Sequence, residues 1–370
     1  MKTRAAILQE QPGKWDICDV ELDEPRTGEI LVRMAHSGLC HSDDHVATGD
    51  VEVPLPFNGG HEGSGIVEAV GPGVDGLAVG DHVVTSFIPS CGICRWCASG
   101  MQNLCDRGVD FITGAMPDGT YRMHLDGRDV AKNGALGTFA EYNVFSTRSV
   151  VKIRPDVPLD VACLVGCGVP TGWGAAVHAA QVQPGDVVIV MGIGGLGANA
   201  LQGARHAGAT RVIAVDPVPG KQSPAIAFGA TDFVADMDEA TSLARSLTNG
   251  QGADSAIITI GVVDSESIGQ AFSSIRKAGT VVLASVGSEH AMNVPVNLFE
   301  LALYQKRIQG TLYGCGSPRR EIPRLLDMYM AGQLKLDELI TARYPLEEIN
   351  AGYADMHAGR NIRGVIDHPA

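Results

Sequence analysis

The sequence predicts an α/β protein in two parts: a β-rich, irregular first part, then a doubly wound parallel sheet of six strands. Three observations carry this. Residues 1 to about 165 break into short apolar runs (ILVRMAHSG, GSGIVEAVG, DHVVTSF, FAEYNVF, VVKI) separated by glycine, proline and acidic turns. From about Val169 the texture changes to alternating strand-like and helix-like segments, the pattern of a sheet with helices on its faces. Between them lies VVIVMGIGGLGANALQGARHAGATRVIAVD, residues 187–216, which reads as strand, glycine turn, helix and second strand in one register.

In chain order, GPGVDGLAVGD at 71–81 is a dense turn between two strands of the first part. Parallel strands are then expected at 187–192, 211–216, 231–235, 255–260 and 280–286, with helices between, and RIQGTLYG at 307–314 completes the sheet. After Asp216 come three prolines, at 217, 219 and 224, so the next helix should begin near Ser223. EIPRLLDMYMAGQL and LEEINAGYADMHAG have helical period, and IRGVIDH reads as a closing strand. No internal repeat or low-complexity linker interrupts the chain.

The 187–216 stretch points to a dinucleotide. Gly192, Gly194 and Gly197 give G-x-G-x-x-G where strand yields to helix. The first permits the tight turn, the second lets a pyrophosphate reach the backbone, and the third lets helix and strand pack closely. Gly195 and Leu196, between them, open the helix, whose free N–H groups and dipole favour phosphate. Asp216 follows 24 residues after Gly192, where a carboxylate can hold an adenosine ribose. A lone glycine turn would equally suit an ordinary α/β domain; the strand, helix, second strand and terminal acid in register argue for the dinucleotide.

Composition narrows the function. The 370 residues, 45% hydrophobic and 19% charged, suit a globular protein with room for two cores. A net charge of −14 argues against nucleic acid, whose phosphates require surplus Lys and Arg. No apolar run nears the ~20 residues of a bilayer span, so no membrane partner is expected. No secretory signal is visible at the N-terminus, and nine cysteines, an odd number, indicate a reducing cytoplasmic setting.

The cysteines fall into constellations. Cys91, Cys94, Cys97 and Cys105 form C-x-x-C-x-x-C-x7-C, and four thiolates around one ion make a closed structural zinc site. A redox pair or buried free thiols would not explain four so close together. GLCHSDDH (38–45) and GGHEGSG (59–65) crowd Cys40, His41, Ser42, Asp43, Asp44, His45, His61 and Glu62 into about twenty-five positions, and Cys167 follows in VGCGVPTGWG. One histidine and two cysteines would leave a zinc with an open position. Spacing alone does not bring these three together: singly, His61 more often is a hydrogen-bonded structural histidine and Cys167 a small core hydrophobe. Cys18, Cys163 and Cys315 read in that structural way.

GLCHSDDH, GGHEGSGIVEAVGPGV, the four-cysteine lobe, VGCGVPTGWGAAV, VMGIGGLGANA with Asp216, and GRNIRGVI, in this order, resemble the zinc-dependent medium-chain alcohol dehydrogenases over the whole chain. DGTYRMHLDG, VVIVMGIGG and AGQLKLDELI are most similar to the bacterial nicotinoprotein branch, which keeps NAD bound and regenerates it with a second substrate or with N,N-dimethyl-4-nitrosoaniline. The resemblance implies a GroES-like catalytic domain at 1–168 with a structural zinc lobe at 90–106, a Rossmann NAD-binding domain at 169–311, and a return to the catalytic domain at 312–370.

It also implies roles. Cys40, His61 and Cys167 would hold a catalytic zinc and the lobe a second one. Asp43 would orient His61, and Glu62 would sit close to the metal. Ser42 would accept the alcohol proton and pass it through the cofactor ribose to His45, which exchanges it with solvent. His41 and Arg363 would contact the pyrophosphate, Thr171 and Val286 the nicotinamide, and Lys221 the adenosine ribose beside Asp216, whose charge favours NAD over NADP. The expected substrate is a primary alcohol or aldehyde. Phe87 and Leu136 are expected pocket walls, and the retained segment 106–138 suggests a homo-oligomer, a dimer. Two other readings remain. One is a formaldehyde dehydrogenase acting on a thiol adduct, disfavoured because Val51 stands where those enzymes carry an acid, although Asp50 and Glu52 flank it. The other is a non-catalytic NAD-binding relative.

Overall fold

Alternation of apolar and polar residues dictates the strands of the first part. Glu29–Gly38 buries Ile30, Val32 and Met34 on one face, against Val67, Val83, Leu136, Phe145 and Val150. In the computed structural model, which describes residues 1–111, 113–287 and 293–369, the chain forms two compact units. One comprises Met1–Cys167 with Ser317–Ala370, the other Gly168–Gly316.

The first unit carries two sheets. A six-stranded sheet runs Arg128–Asp129, Met123–Leu125, Trp15–Leu22, Lys2–Leu8, Phe57–Asn58, Ala131–Lys132. The larger sheet is ordered Val150–Lys152, His82–Thr85, Glu62–Val70, Glu29–Gly38, Arg363–Asp367, Ile340–Pro345. Tyr142–Ser146 pairs with the first half of Glu29–Gly38, whereas Val365, Ile366 and Asp367 pair with Gly38, Ser37 and His36 in its second half. The closing strand is thus built into the larger sheet, beside the third strand of the chain. Glu29 and Arg122 are buried together in a bidentate pair at 2.8 and 2.6 Å.

The second unit is a parallel sheet ordered Asp232–Val234, Arg211–Val215, Val187–Met191, Ala253–Ile258, Ile275–Leu283, Arg307–Gly310. This is the doubly wound order, with its switch point beside the first strand. Val188, Ile189 and Val190 are fully buried, as a strand covered on both faces requires. Two strands differ from expectation. The fifth begins at Ile275 rather than 280, because a register shift absorbs the residues before Thr280. The sixth stops at Gly310, and its continuation turns at Tyr313–Cys315. The proline-rich segment forms a 3-10 turn at Pro219–Lys221 that leads into a helix at Gln222, with Pro224 in its first turn.

Among the described residues, no single helix is long and apolar enough to cross a membrane.

Candidate metal and nucleotide sites

Cys40 ends the Glu29–Gly38 strand segment and caps helix α1, His41–Thr48, from an extended conformation. His61 follows Gly60, whose positive φ of 88° and packing on Thr138 leave no room for a side chain, and precedes the Glu62–Val70 strand. Cys167 closes the 3-10 turn Cys163–Gly166. Three distant segments of one unit thereby converge. The ligand atoms of Cys40, His61, Glu62 and Cys167 all lie within 4.8 Å of one another, and all four residues are buried.

The electrostatics of this cluster suit a cation. The Cys167 hydrogen bond holds the Cys40 thiol well below its ordinary range, while the same contact, with burial, drives Cys167 well above it. Two adjacent buried thiols cannot both ionise unless a positive charge sits between them. Burial opposes charge on His61, but Asp43 and Cys40 override it and raise the imidazole well above its usual value. Two soft sulfurs and one imidazole are a donor set for zinc, with a position left open.

Residues of α1 distribute themselves around the centre. Ser42 Oγ lies 3.7 Å from Cys40 Sγ. Asp43, fully buried, places Oδ2 3.0 Å from His61 Nδ1, and its Oδ1 accepts from Gly60 N and Asn133 Nδ2, both at 2.6 Å. Asp44 faces His357 Nε2 at 2.7 Å. His45 Nδ1 meets Asp50 Oδ2 at 3.0 Å. Glu62 is paired with the buried guanidinium of Arg363, which also donates to Leu39 O at 3.0 Å. Burial pushes the Glu62 carboxyl up to about 7, Arg363 opposing. Both bonds use Nη2 of Arg363, and His41 is exposed. Phe87 sets its ring edge-on to His61 at 5.6 Å and lines an apolar recess with Pro89, Ala115, Pro117 and Ala135. Leu136, expected as a wall of the same pocket, is instead fully buried among Ile30, Val32 and Phe145.

The second candidate metal cluster is local. The sulfurs of Cys91, Cys94, Cys97 and Cys105 lie within 4.8 Å of one another, with Cys91 and Cys97 3.9 Å apart. Tetrahedral zinc with ~2.3 Å bonds to sulfur requires sulfurs about 3.8 Å apart. Backbone N–H groups of Cys94, Cys97 and Cys91 each lie 3.4 Å from the sulfurs of Cys91, Cys94 and Cys105. Such donors from Ile93 and Cys94 bring Cys91 down to about 6, whereas burial takes Cys97 up to about 12. All nine cysteines are free thiols.

In the other unit, the glycine turn shows why Gly192 and Gly197 are needed. Gly192 has φ +93°, and a Cβ there would come within 2.9 Å of Ile260 N; a Cβ on Gly197 would come within 2.0 Å of Gly192 O. A Cβ on Gly194 would meet nothing within 4 Å, so that glycine borders open space. The helix Gly195–His206, beginning with Gly195 and Leu196, has no side-chain cap, which leaves its first N–H groups for an anion. Asp216 accepts from Ile193 N at 2.8 Å and Val218 N at 3.0 Å, with Lys221 Nζ 3.4 Å away. The loop and the acid are thus held as one piece. Thr171 is buried in the Gly168–Gly174 helix and Val286 is 65% exposed. The turn, the acid and the helix dipole fit a dinucleotide.

Sequence reasoning missed Asn133, the contact of Asp50 with His45 and the Glu62–Arg363 pairing. Only Asp50 had a local signal, a carboxylate five residues after a helical histidine across a glycine.

Comparison with known proteins agrees with this geometry. Residues 26–155 match the alcohol dehydrogenase GroES-like domain and residues 195–331 the zinc-binding dehydrogenase family. The chain is 50% identical, over the full length of both, to the NDMA-dependent alcohol dehydrogenase of Amycolatopsis methanolica. Among solved structures, an alcohol dehydrogenase zinc-binding domain protein from Burkholderia ambifaria superposes with a TM-score of 0.94 at 32% identity, covering all of both chains. Benzyl alcohol dehydrogenase from Acinetobacter calcoaceticus gives 0.92 at 29% identity, again over all of both chains.

Proposed function

The chain belongs to the zinc-dependent medium-chain alcohol dehydrogenases, on the side of the NDMA-dependent enzymes, and from that we propose that it oxidises primary alcohols to aldehydes with NAD and two zinc ions. The convergence of Cys40, His61 and Cys167 in one buried cluster carries this reading. A non-catalytic relative would have no use for a donor set with an open position.

Cys40, His61 and Cys167 would hold the catalytic zinc, and Cys91, Cys94, Cys97 and Cys105 the structural one. Zinc supplies Lewis acidity that lets an alcohol lose its proton near neutral pH, and NAD accepts the hydride. The chain does the rest. Asp43 fixes the His61 tautomer. Ser42, beside Cys40, takes the substrate proton, and His45 returns it to solvent. Glu62, buried against Arg363, brings a carboxylate to the metal cluster. Phe87 and its apolar neighbours favour an aromatic or aliphatic body on the substrate, in keeping with the benzyl alcohol enzyme among the structural relatives. Gly192, Gly194, Gly195, Leu196 and Gly197 would cradle the pyrophosphate, Asp216 and Lys221 the adenosine ribose, Thr171 and Val286 the nicotinamide, and His41 and Arg363 would add contacts at the phosphates. The carboxylate of Asp216 repels a 2′-phosphate, which supports NAD. Asp50 is taken up by His45 and Thr48, which supports an alcohol over a thiol adduct as substrate.

By analogy with the NDMA-dependent relative, NAD stays bound between turnovers. Denaturing the purified protein without added cofactor should release about one NAD per chain and two zinc ions, and Ser42→Ala should slow hydride transfer on the order of 10²-fold. Absence of NAD would refute retention, one zinc per chain would refute the metal assignment, and an unchanged Ser42→Ala rate would refute the proton route. Leu298, Phe299 and Leu303, 73%, 60% and 64% exposed, give the nucleotide unit an apolar face suited to a second copy. A dimer in sedimentation is expected, and a cytoplasmic setting suits nine cysteines of which none forms a disulfide.

A further inference from the structure

We propose that Asp50 is the positioning residue of the histidine at the solvent end of the proton route: it fixes His45 as the Nδ1–H tautomer and leaves Nε2 to take the proton. The inference rests on the reading of His45 given above.

Helix α1 ends at Thr48, and Gly49, with φ +85°, reverses the chain so that its N–H reaches Val46 O at 3.2 Å. That reversal carries Asp50 back onto the helix face that bears His45. Asp50 Oδ2 lies 3.0 Å from His45 Nδ1 and accepts from Thr48 Oγ1 at 2.9 Å. Val51 N donates to His45 O at 3.1 Å. From across the turn, Gln11 donates to Val46 O at 2.6 Å and Val51 O at 3.0 Å, and accepts from Val53 N at 3.2 Å. The acid is exposed, but the backbone that carries it is clasped on both sides.

An ionised carboxylate only accepts, so the His45 nitrogen facing it must carry hydrogen. Nε2 then keeps its lone pair. A proton arriving there gives an imidazolium whose charge Asp50 stabilises, and it leaves for water from the same nitrogen; the Nδ1–H···Asp50 bond is unchanged throughout. The carboxyl of Asp50 is itself held below its usual range by His45 first and Thr48 second. The other charged groups of the helix are placed differently. Asp44 is turned to His357, and His41, one turn earlier, opposes a second positive charge. The segment packed from across, residues 11–13, brings only an amide and backbone groups.

The test uses the holoenzyme labelled with 15N-histidine, with the His45 signal identified by its loss in His45→Gln. Wild type should show the Nδ1–H tautomer, and Asp50→Asn should shift it towards Nε2–H. In single turnover, followed by absorbance of the reduced nicotinamide, Asp50→Asn should lower the high-pH plateau on the order of tenfold at unchanged zinc and NAD content. Asp50→Glu should recover most of it, and Asp50→Asn should add nothing in a His45→Gln background. A wild-type tautomer and plateau in Asp50→Asn, or an equal loss without His45, overturns the inference. If Ser42→Ala and His45→Gln slow the step while Asp50→Asn does not, only Asp50 is refuted. If those two run at the wild-type rate, the proton route itself fails and takes this inference with it.

Discussion

Replacing Asp43 by Asn changes one oxygen to an amide and nothing in volume, yet the site has no orientation that accepts it. Oδ1 receives hydrogens from Gly60 N and Asn133 Nδ2, both at 2.6 Å, and Oδ2 faces His61 Nδ1 at 3.0 Å. If the Asn oxygen takes the first position, its NH2 points at His61 Nδ1. The ring must then accept there and carry its hydrogen on Nε2, the nitrogen needed by the metal. If the amide flips, its NH2 meets two donors, one of them a fixed backbone N–H, at a cost of about 1–3 kcal/mol. Loss of a group that orients a ligating histidine typically costs about 10–100-fold in metal affinity, or ~1.4–2.7 kcal/mol. Competition with a chromogenic chelator reads this directly, since the four-cysteine zinc in the same molecule should leave at its wild-type rate and serve as internal standard. Asn133→Ala, which removes one of two donors, should show a smaller loss in the same direction. An Asp43→Asn enzyme that holds its catalytic zinc within about twofold of wild type would refute the tautomer argument.

Three other perturbations separate the remaining claims. Lys132 is wholly buried, donates to Asn143 Oδ1 and Val144 O at 3.1 and 2.8 Å, and burial takes its amine from 10.5 to about 7. The unfolded chain therefore holds a proton that the native one lacks between those values. This group's contribution to stability is full above 10.5, falls as pH drops towards about 7 and is constant below. The full amplitude is on the order of 4–5 kcal/mol, so urea midpoints of Lys132→Met should lose most of that pH slope relative to wild type; parallel curves would contradict the assignment. Cys97→Ser should lower zinc content by one per chain and raise hydrogen exchange across residues 91–105, and unchanged zinc content would remove the structural site. Asp216→Ser should narrow the preference for NAD over NADP by on the order of tenfold or more, with unaltered discrimination counting against the ribose contact.

What was legible in the sequence was what is local. The glycine turn, the acid that ends the second strand and the four-cysteine lobe each fit within thirty residues, and their chemistry depends on spacing that the backbone preserves. The strand order of the nucleotide unit followed because a strand–helix–strand repeat leaves few topologies open. Asn133 could not be found this way. It reaches Asp43 across 90 positions, and an asparagine in a glycine-rich turn reads as a turn residue. Lys132 likewise reads as a surface lysine in the sequence and lies in the core. Leu136 went wrong for a related reason: an apolar residue near a pocket looks the same, in one dimension, as an apolar residue behind it.

The unit that holds the proposed metal ligands is assembled from both ends of the chain, which gives it a history as well as a shape. Cys40, His61 and Cys167 are all synthesised before Gly168, whereas Arg363, which balances Glu62, lies 301 positions beyond its partner. At about 5–20 residues per second, the nascent chain waits on the order of ten seconds or more before that arginine can emerge. During this interval Tyr142–Ser146 can already cover half of one edge of the Glu29–Gly38 strand, while His36–Gly38, paired with Glu62–Ser64 on their other side, lack their partner on that edge. The intervening Gly168–Gly316 stretch is contiguous and can fold as it leaves the ribosome. Metal capture can therefore precede completion of the sheet, but charge balance around Glu62 cannot.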